Sequence, residues 1–184
     1  LEAHTLGGDI DECRFVQYID LVECLHHIAI HGKDSVLTLY GLPICWNENN
    51  QMSADLIHIY VKNQTVDYMH GIGSGLMVKQ DGANEYNQMA GKEILAYIRD
   101  EDVYLVDVQG NAETVFYPVE DDGSYIGVNR TQSSFVKVYL QDRKIDYVLF
   151  TTSTTGVMIP LDQALPEETR LNGFFWAEDE RPRQ

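Results

Sequence analysis

Apolar and polar side chains alternate along several short stretches of the chain. Between positions 56 and 61, Ile57, Ile59 and Val61 fall on one face, and Leu56, His58 and Tyr60 on the other. This is the period-two signature of a half-buried β-strand. The same phase returns at Ile94, Ala96 and Ile98, and again at Val136, Val138 and Leu140. Each run is followed by a polar turn, Lys62-Asn63-Gln64, Arg99-Asp100-Glu101 and Gln141-Asp142-Arg143-Lys144, and then by a second apolar run opening at Val66, Val103 and Ile145. Tyr60, Tyr97 and Tyr139 each stand six residues before those openings.

The pattern is a repeat. Asn50-Gln51-Met52 comes back as Asn87-Gln88-Met89, 37 residues later, and both copies lead into the strand–turn–strand pattern. Upstream, Ile28-Ala29-Ile30-His31, Gly32-Lys33-Asp34 and Val36 to Tyr40 supply a weaker copy. About four such units are predicted, and since one unit cannot bury its own apolar face, they must stack. The expected fold class is therefore all-β, with stacked antiparallel strand repeats and no substantial helix. The equivalent apolar faces line up into one wall made of Ile57, Ile59, Val61, Ile94, Ala96, Ile98, Val136, Val138 and Leu140. Alternation alone leaves two readings of this wall open, a closed core and an open groove.

Elsewhere the pattern is weaker. Residues 13–31 fit a helical stripe or strands, and the repeats that follow favour strands. Residues 35–46 read as one or two strands interrupted by Gly41 and Pro43, and Pro43 belongs at an edge, a strand start or a bulge. Gly71, Gly73 and Gly75, Asp81-Gly82, Gly110-Asn111 and Asp121-Asp122-Gly123 read as turns between strands. Pro166 opens a single helical turn. Phe174-Phe175-Trp176 forms an apolar plug that closes the last unit. The first 12 residues are an irregular lead-in, and Arg181-Pro182-Arg183-Gln184 is a loose end.

Composition narrows the function. The chain of 184 residues carries a net charge of −16, which argues against nucleic acid and against docking on anionic headgroups by charge. Cys13, Cys24 and Cys45 are too few and too scattered for a disulfide scaffold or a zinc motif, although a single bridge is open to them. No metal or cofactor is expected. The six histidines, all within the first 70 positions, lack ligand spacing. Gly71-Ile72-Gly73-Ser74-Gly75 has the glycines of a phosphate loop without its Lys-Ser/Thr ending. Two acid clusters, Asp100-Glu101-Asp102 and Glu120-Asp121-Asp122, invite comparison with paired catalytic carboxylates, but both fall in predicted turns. The chain is read as a non-enzyme. The rival classes are a secreted carbohydrate-binding or carbohydrate-active β module and a purely structural envelope module.

An ordered set of short motifs resembles the OstA-like proteins of Bacteroidetes-type bacteria, relatives of the periplasmic lipopolysaccharide-export (organic-solvent-tolerance) family. The set comprises Lys33-Asp34-Ser35, Tyr40-Gly41 with Pro43, Trp46, Asn50-Gln51-Met52 with Asp55, and Tyr86-Asn87-Gln88-Met89 with Gly91-Lys92-Glu93. It continues through Gly110-Asn111-Ala112, Asn129 with Ser133-Ser134, and Leu171, Gly173-Phe174, Trp176 and Arg181-Pro182. The resemblance implies an open, twisted roll of antiparallel strands folded like a taco around an apolar groove. It implies a periplasmic protein that moves lipopolysaccharide to the outer membrane. The ligand it implies is lipopolysaccharide or lipid A, held along the nine-residue wall. Its partners would be other transport components, or further copies of the chain end to end, joined through strand edges. Residues 1–32 are then a lead-in with the first strands and residues 33–184 the roll with its cap. Together they read as one continuous domain, the C-terminal part of a longer protein.

Overall fold

The computed structural model describes residues 23–31, as a backbone path, together with residues 36–47, 49–63 and 65–180. The expectations for residues 1–22, for Gly32-Lys33-Asp34 and for the last four residues lie outside the described residues. Among the described residues, ten strands, β1 (Glu23–His31), β2 (Val36–Asn47), β3 (Asn50–Ser53), β4 (Leu56–Lys62), β5 (Thr65–Gln80), β6 (Tyr86–Arg99), β7 (Asp102–Phe116), β8 (Val128–Gln141), β9 (Lys144–Thr151) and β10 (Thr155–Ile159), form one antiparallel sheet. The helical turns among the described residues are short 3-10 turns at Pro166–Glu168 and Glu178–Glu180.

The long strands are longer than the alternation suggests, because each runs straight through a bend. The second arm of the sheet begins where the first ends. Toward Gly71-Ile72-Gly73-Ser74-Gly75, β5 pairs with β4 and the end of β6. Beyond it, β5 pairs with β3 and the start of β6. Gly73 and Ser74 both have positive φ, and so do Gly41 and Leu42, Gly110 and Asn111, and Thr152 and Ser153. A left-handed pair reverses the pleat and bends the strand, and glycine takes that conformation without steric cost. The ladders skip at these same places, between Ile72 and Gly75, Ala90 and Glu93, and Gln109 and Ala112. Gly73 and Gly110 are 37 residues apart. The repeat period is thus the distance from one bend to the next in the same direction. The glycines at 71–75 and 110, expected in turns between strands, instead lie within strands at this crease. Pro43 also lies there, in the unpaired step between the two halves of β2.

The strand–turn–strand units are the hairpins at the tip of the first arm, β4–β5, β6–β7 and β8–β9. In all three the register slips at the same point, after Tyr60, Tyr97 and Tyr139. The turns carry positive φ at Asn63, at Asp100 and Glu101, and at Asp142 and Arg143, the twist that two-residue hairpin turns need. On the outer face of this arm the tyrosines form ladders: Tyr60 on Tyr68 at 4.1 Å, Tyr68 beside Tyr97 at 5.6 Å, and Tyr139 on Tyr147 at 4.3 Å between ring centres. Cross-strand aromatic pairs of this kind stabilise a sheet. Burial and the neighbouring Tyr60 push the Tyr68 hydroxyl up.

The crease folds the sheet onto its inner face. Residues of both arms join one buried cluster, among them Leu37, Leu39, Ile57, Ile59, Ile94, Val108, Val136 and Val138 from the first arm and Cys45, Met52, Ala54 and Ala112 from the second. Near the crease the second arm is built from small residues so that the first can enter. A methyl added at Gly75 would lie 2.9 Å from Ile94 Cγ1, and one at Gly91 would lie 2.6 Å from Val108 Cγ1. Cys24 and Cys45 are register partners on β1 and β2.

The chain end does not plug the last unit. It returns across the outer face of the second arm, from β8 toward β2. Gln88 Nε2 donates to the Thr169 carbonyl at 2.9 Å and Gln88 Oε1 accepts from Leu171 N at 2.8 Å. Gln51 repeats this with the Phe175 carbonyl at 3.1 Å and Ala177 N at 2.8 Å. Arg130 donates to the carbonyls of Glu167 and Arg170. Trp176 then packs edge-on against Trp46 of β2, 4.8 Å between ring centres.

Candidate functional site

Where the arms diverge from the crease, they enclose a cavity of about 670 Å³, within the roughly 300–1,000 Å³ range typical of ligand sites. Its two walls differ. The first arm contributes aliphatic residues, including Ala96, Ile98, Val106, Val138, Leu140 and Val148. The second contributes Met52, Met77 and Met89, followed by Thr114. Polar residues stand at the tips of both arms: Asp102, Arg143 and Lys144 on one side, and Asn47, Asn50, Lys79, Asn87 and Asn129 on the other.

The nine residues of the predicted wall all lie on the inner face, and the crease divides them by depth. Ile57, Ile59, Ile94 and Val136 are fully packed in the shared core. Ala96, Ile98, Val138 and Leu140 line the cavity. Val61 packs half-buried against the core. The wall is therefore closed core at its base and cavity lining toward the tips.

The methionine wall escaped sequence reasoning, although its signal is present in the repeat itself. In Asn50-Gln51-Met52 and in Asn87-Gln88-Met89, strand alternation sends Asn and Met inward and Gln outward. Met52 is the register partner of Met77, and Met77 of Met89. Asn129-Arg130-Thr131 on β8 is a third, diverged copy, with Arg130 holding the chain end and Thr131 on the inner row. Met is flexible and polarisable, so a row of three gives an adaptable apolar surface.

The other candidates do not converge. Asp102 and the loop acids stand at opposite ends of β7. Asp102 pairs with Arg143 at 2.6 Å. Asp122 accepts from Ser124 Oγ at 2.6 Å and Ser124 N at 2.9 Å, bonds that hold its carboxyl below the usual value. His58 and His70 sit on the outer face, bonded to Thr38 at 3.0 Å and to Glu93 at 2.8 Å. Among the described residues, no group of three or more His, Cys, Asp or Glu is placed to hold a metal ion. Also on the outer face, Asp107 is buried and ion-paired with Lys137 at 3.3 Å, and this partner raises the Lys137 ammonium above its usual value.

The creased sheet has a solved counterpart. It is the fold of LptH. That protein, the LptA-homologous periplasmic component of the conserved lipopolysaccharide transport device from Pseudomonas aeruginosa, superimposes with a TM-score of 0.58 at 10% identity. The match covers 76% of this chain and 95% of LptH. No protein-family model and no curated protein sequence matches the chain. At this identity the likeness to LptH establishes the architecture, and the cavity between the arms is a property of this chain's own side chains.

One further feature belongs to the architecture. Among the described residues, β9 and β10 each pair with β8 alone, so their outer backbone groups form a sheet edge that no other described strand pairs with. Leu149 and Val157 on that edge are about half exposed. The described part of the chain end, up to Glu180, runs across the second arm instead.

Proposed function

We propose that the protein is a non-enzymatic periplasmic carrier that shelters the acyl chains of lipopolysaccharide or lipid A between its two arms on the way to the outer membrane. The observation that carries the proposal is the cavity itself: a space of about 670 Å³, apolar on both walls, in a sheet that shares its fold with a lipopolysaccharide-transport component. Each methylene moved from water into such a space contributes roughly 0.8 kcal/mol. The rims are polar, with Lys79 beside Asp81, Arg143 beside Asp102, and Lys144, so a polar headgroup stays at the mouth while the chains go in. The wall residues assigned to contact are Ala96, Ile98, Val138 and Leu140. Ile57, Ile59, Val61, Ile94 and Val136 support them from beneath. The open edge at β9 and β10 is the surface for adding a further copy or another transport component by strand pairing.

Site-specific photo-crosslinking in a lipopolysaccharide-producing bacterium tests this. Probes at Val138 and Leu140 should capture lipopolysaccharide, and a probe at Lys137, on the opposite face of the same strand, should not. Equal capture at all three positions, or none at the inner two in a folded protein, overturns the reading.

A further inference from the structure

The row that carries the methionines continues in a polar residue. Thr114 sits mid-way along the inner row of the second arm, the register partner of Met89 on β6 and of Thr131 on β8. It lines the cavity and is 5% exposed, and its hydroxyl oxygen has no hydrogen-bond partner among the described residues. Its neighbour differs: Thr131 donates its hydroxyl to Asn129 Oδ1 at 2.9 Å. A buried hydroxyl without a partner is unfavourable, and a turn of the Thr114 side chain about its Cα–Cβ bond would present it to whatever fills the cavity that Thr114 lines.

We propose that Thr114 is a polar anchor inside the groove, donating its hydroxyl to the carbonyl oxygen of an acyl linkage, ester or amide. The bound chain then runs from Thr114 along the row of Met89, Met77 and Met52. This rests on the reading that the groove holds acyl chains, and it deepens that reading by naming the chemical group recognised. The partner must be a neutral acceptor. The cavity cations Lys79, Arg143 and Lys144 belong to the arm tips, so an anion beside Thr114 would be desolvated without a counter-charge. A plain hydrocarbon offers no acceptor. A carbonyl at the head of a chain offers one acceptor with an apolar continuation, which matches a single hydroxyl set beside three thioethers.

The test uses two competitors that differ in one carbonyl, 1-dodecanoylglycerol and 1-O-dodecylglycerol. Each displaces N-phenyl-1-naphthylamine from the purified full chain. The ester should bind more tightly than the ether by about two- to tenfold, the range of one net hydrogen bond. T114V, which keeps the shape and removes the hydroxyl, should erase the preference. T114S should keep it, and T131V should leave it intact. Equal binding of ester and ether to the wild type overturns the anchor while leaving the groove reading in place, as does a preference that survives in T114V. Failure of both competitors to displace the probe overturns the groove reading and the anchor with it. The wild-type comparison needs no variant, so equal binding there overturns the anchor even where T114V does not fold.

Discussion

Gln51 and Gln88 make the same pair of main-chain hydrogen bonds to the chain end, at points six residues apart. Gln88 bridges the Thr169 carbonyl and Leu171 N, and Gln51 bridges the Phe175 carbonyl and Ala177 N. Both side chains are buried, at 0% and 1% exposure. A carboxamide presents an N–H donor group and a carbonyl acceptor side by side, as a strand backbone does, so it stands in for a neighbouring strand and holds an extended segment in place. The two copies of the repeat therefore act on one segment.

Replacing Gln88 with Ala should destabilise the protein by roughly 1–3 kcal/mol, because buried main-chain groups lose their partners. The loss is limited by release of the tail to solvent. Urea melts should show the shift, and limited proteolysis should show faster cleavage within 166–177. A Gln88→Ala protein with unchanged melting and an equally protected tail would show that the amide does not hold it.

Gly91 leaves room for Val108 at the base of the core. Gly91→Ala puts a methyl 2.6 Å from Val108 Cγ1 and 3.1 Å from the Gln109 carbonyl. Overpacking of this kind costs about 1–3 kcal/mol. The paired variant Gly91→Ala/Val108→Ala should lose less than the sum of its two single variants, and thermal melts of the wild type, G91A, V108A and the double variant check the coupling.

Asp122 should titrate below its usual value of 3.8, because Ser124 donates to the carboxylate. Since the folded value is depressed, any stability it contributes is present above the unfolded value and is lost as pH falls through the folded one. Ser124→Ala should bring the titration back toward the ordinary carboxylate range, as read by carbon chemical shifts against pH. No movement in that variant would remove Ser124 as the cause.

Lys137 has the opposite sign. Its folded value is raised above 10.5 by Asp107, so the stability it contributes is full below the unfolded value and is lost as pH rises through the folded one. Lys137→Met should therefore lower stability at neutral pH and leave Asp107 buried without its cation. The gap between wild type and variant should close in strongly alkaline buffer, where denaturant melts at two pH values suffice to see it.

The outer edge of β9 and β10, unpaired among the described residues, predicts concentration-dependent, end-to-end association. Leu149→Lys and Val157→Lys place charges along that edge, a device that blunts strand pairing. Sedimentation should show the wild type growing with concentration and the double variant remaining smaller. Identical behaviour of the two would place any association elsewhere.

Alternation fixed the inner face from the residues alone. Ile57, Ile94 and Val136 are buried because period two leaves a strand only two sides, and the hairpin tips follow from polar pairs that accept positive φ, such as Asp100 and Glu101. The repeat of Asn-Gln-Met likewise announced equivalent strands. What the sequence left open was the crease. Gly73 and Gly110 look the same whether they join two strands or bend one, because a left-handed glycine serves both purposes. Only the pairing of β5 with β3 on one side of Gly73 and with β4 on the other decides it. From that bend follow the second arm, the methionine wall facing the aliphatic one, and the division of the nine predicted residues into core and cavity lining. The place of the chain end was equally undecided, since Phe174-Phe175-Trp176 is apolar enough to cover any surface. Its path across the second arm depends on Gln51 and Gln88, which lie more than eighty residues away in sequence and meet it only once the sheet has folded.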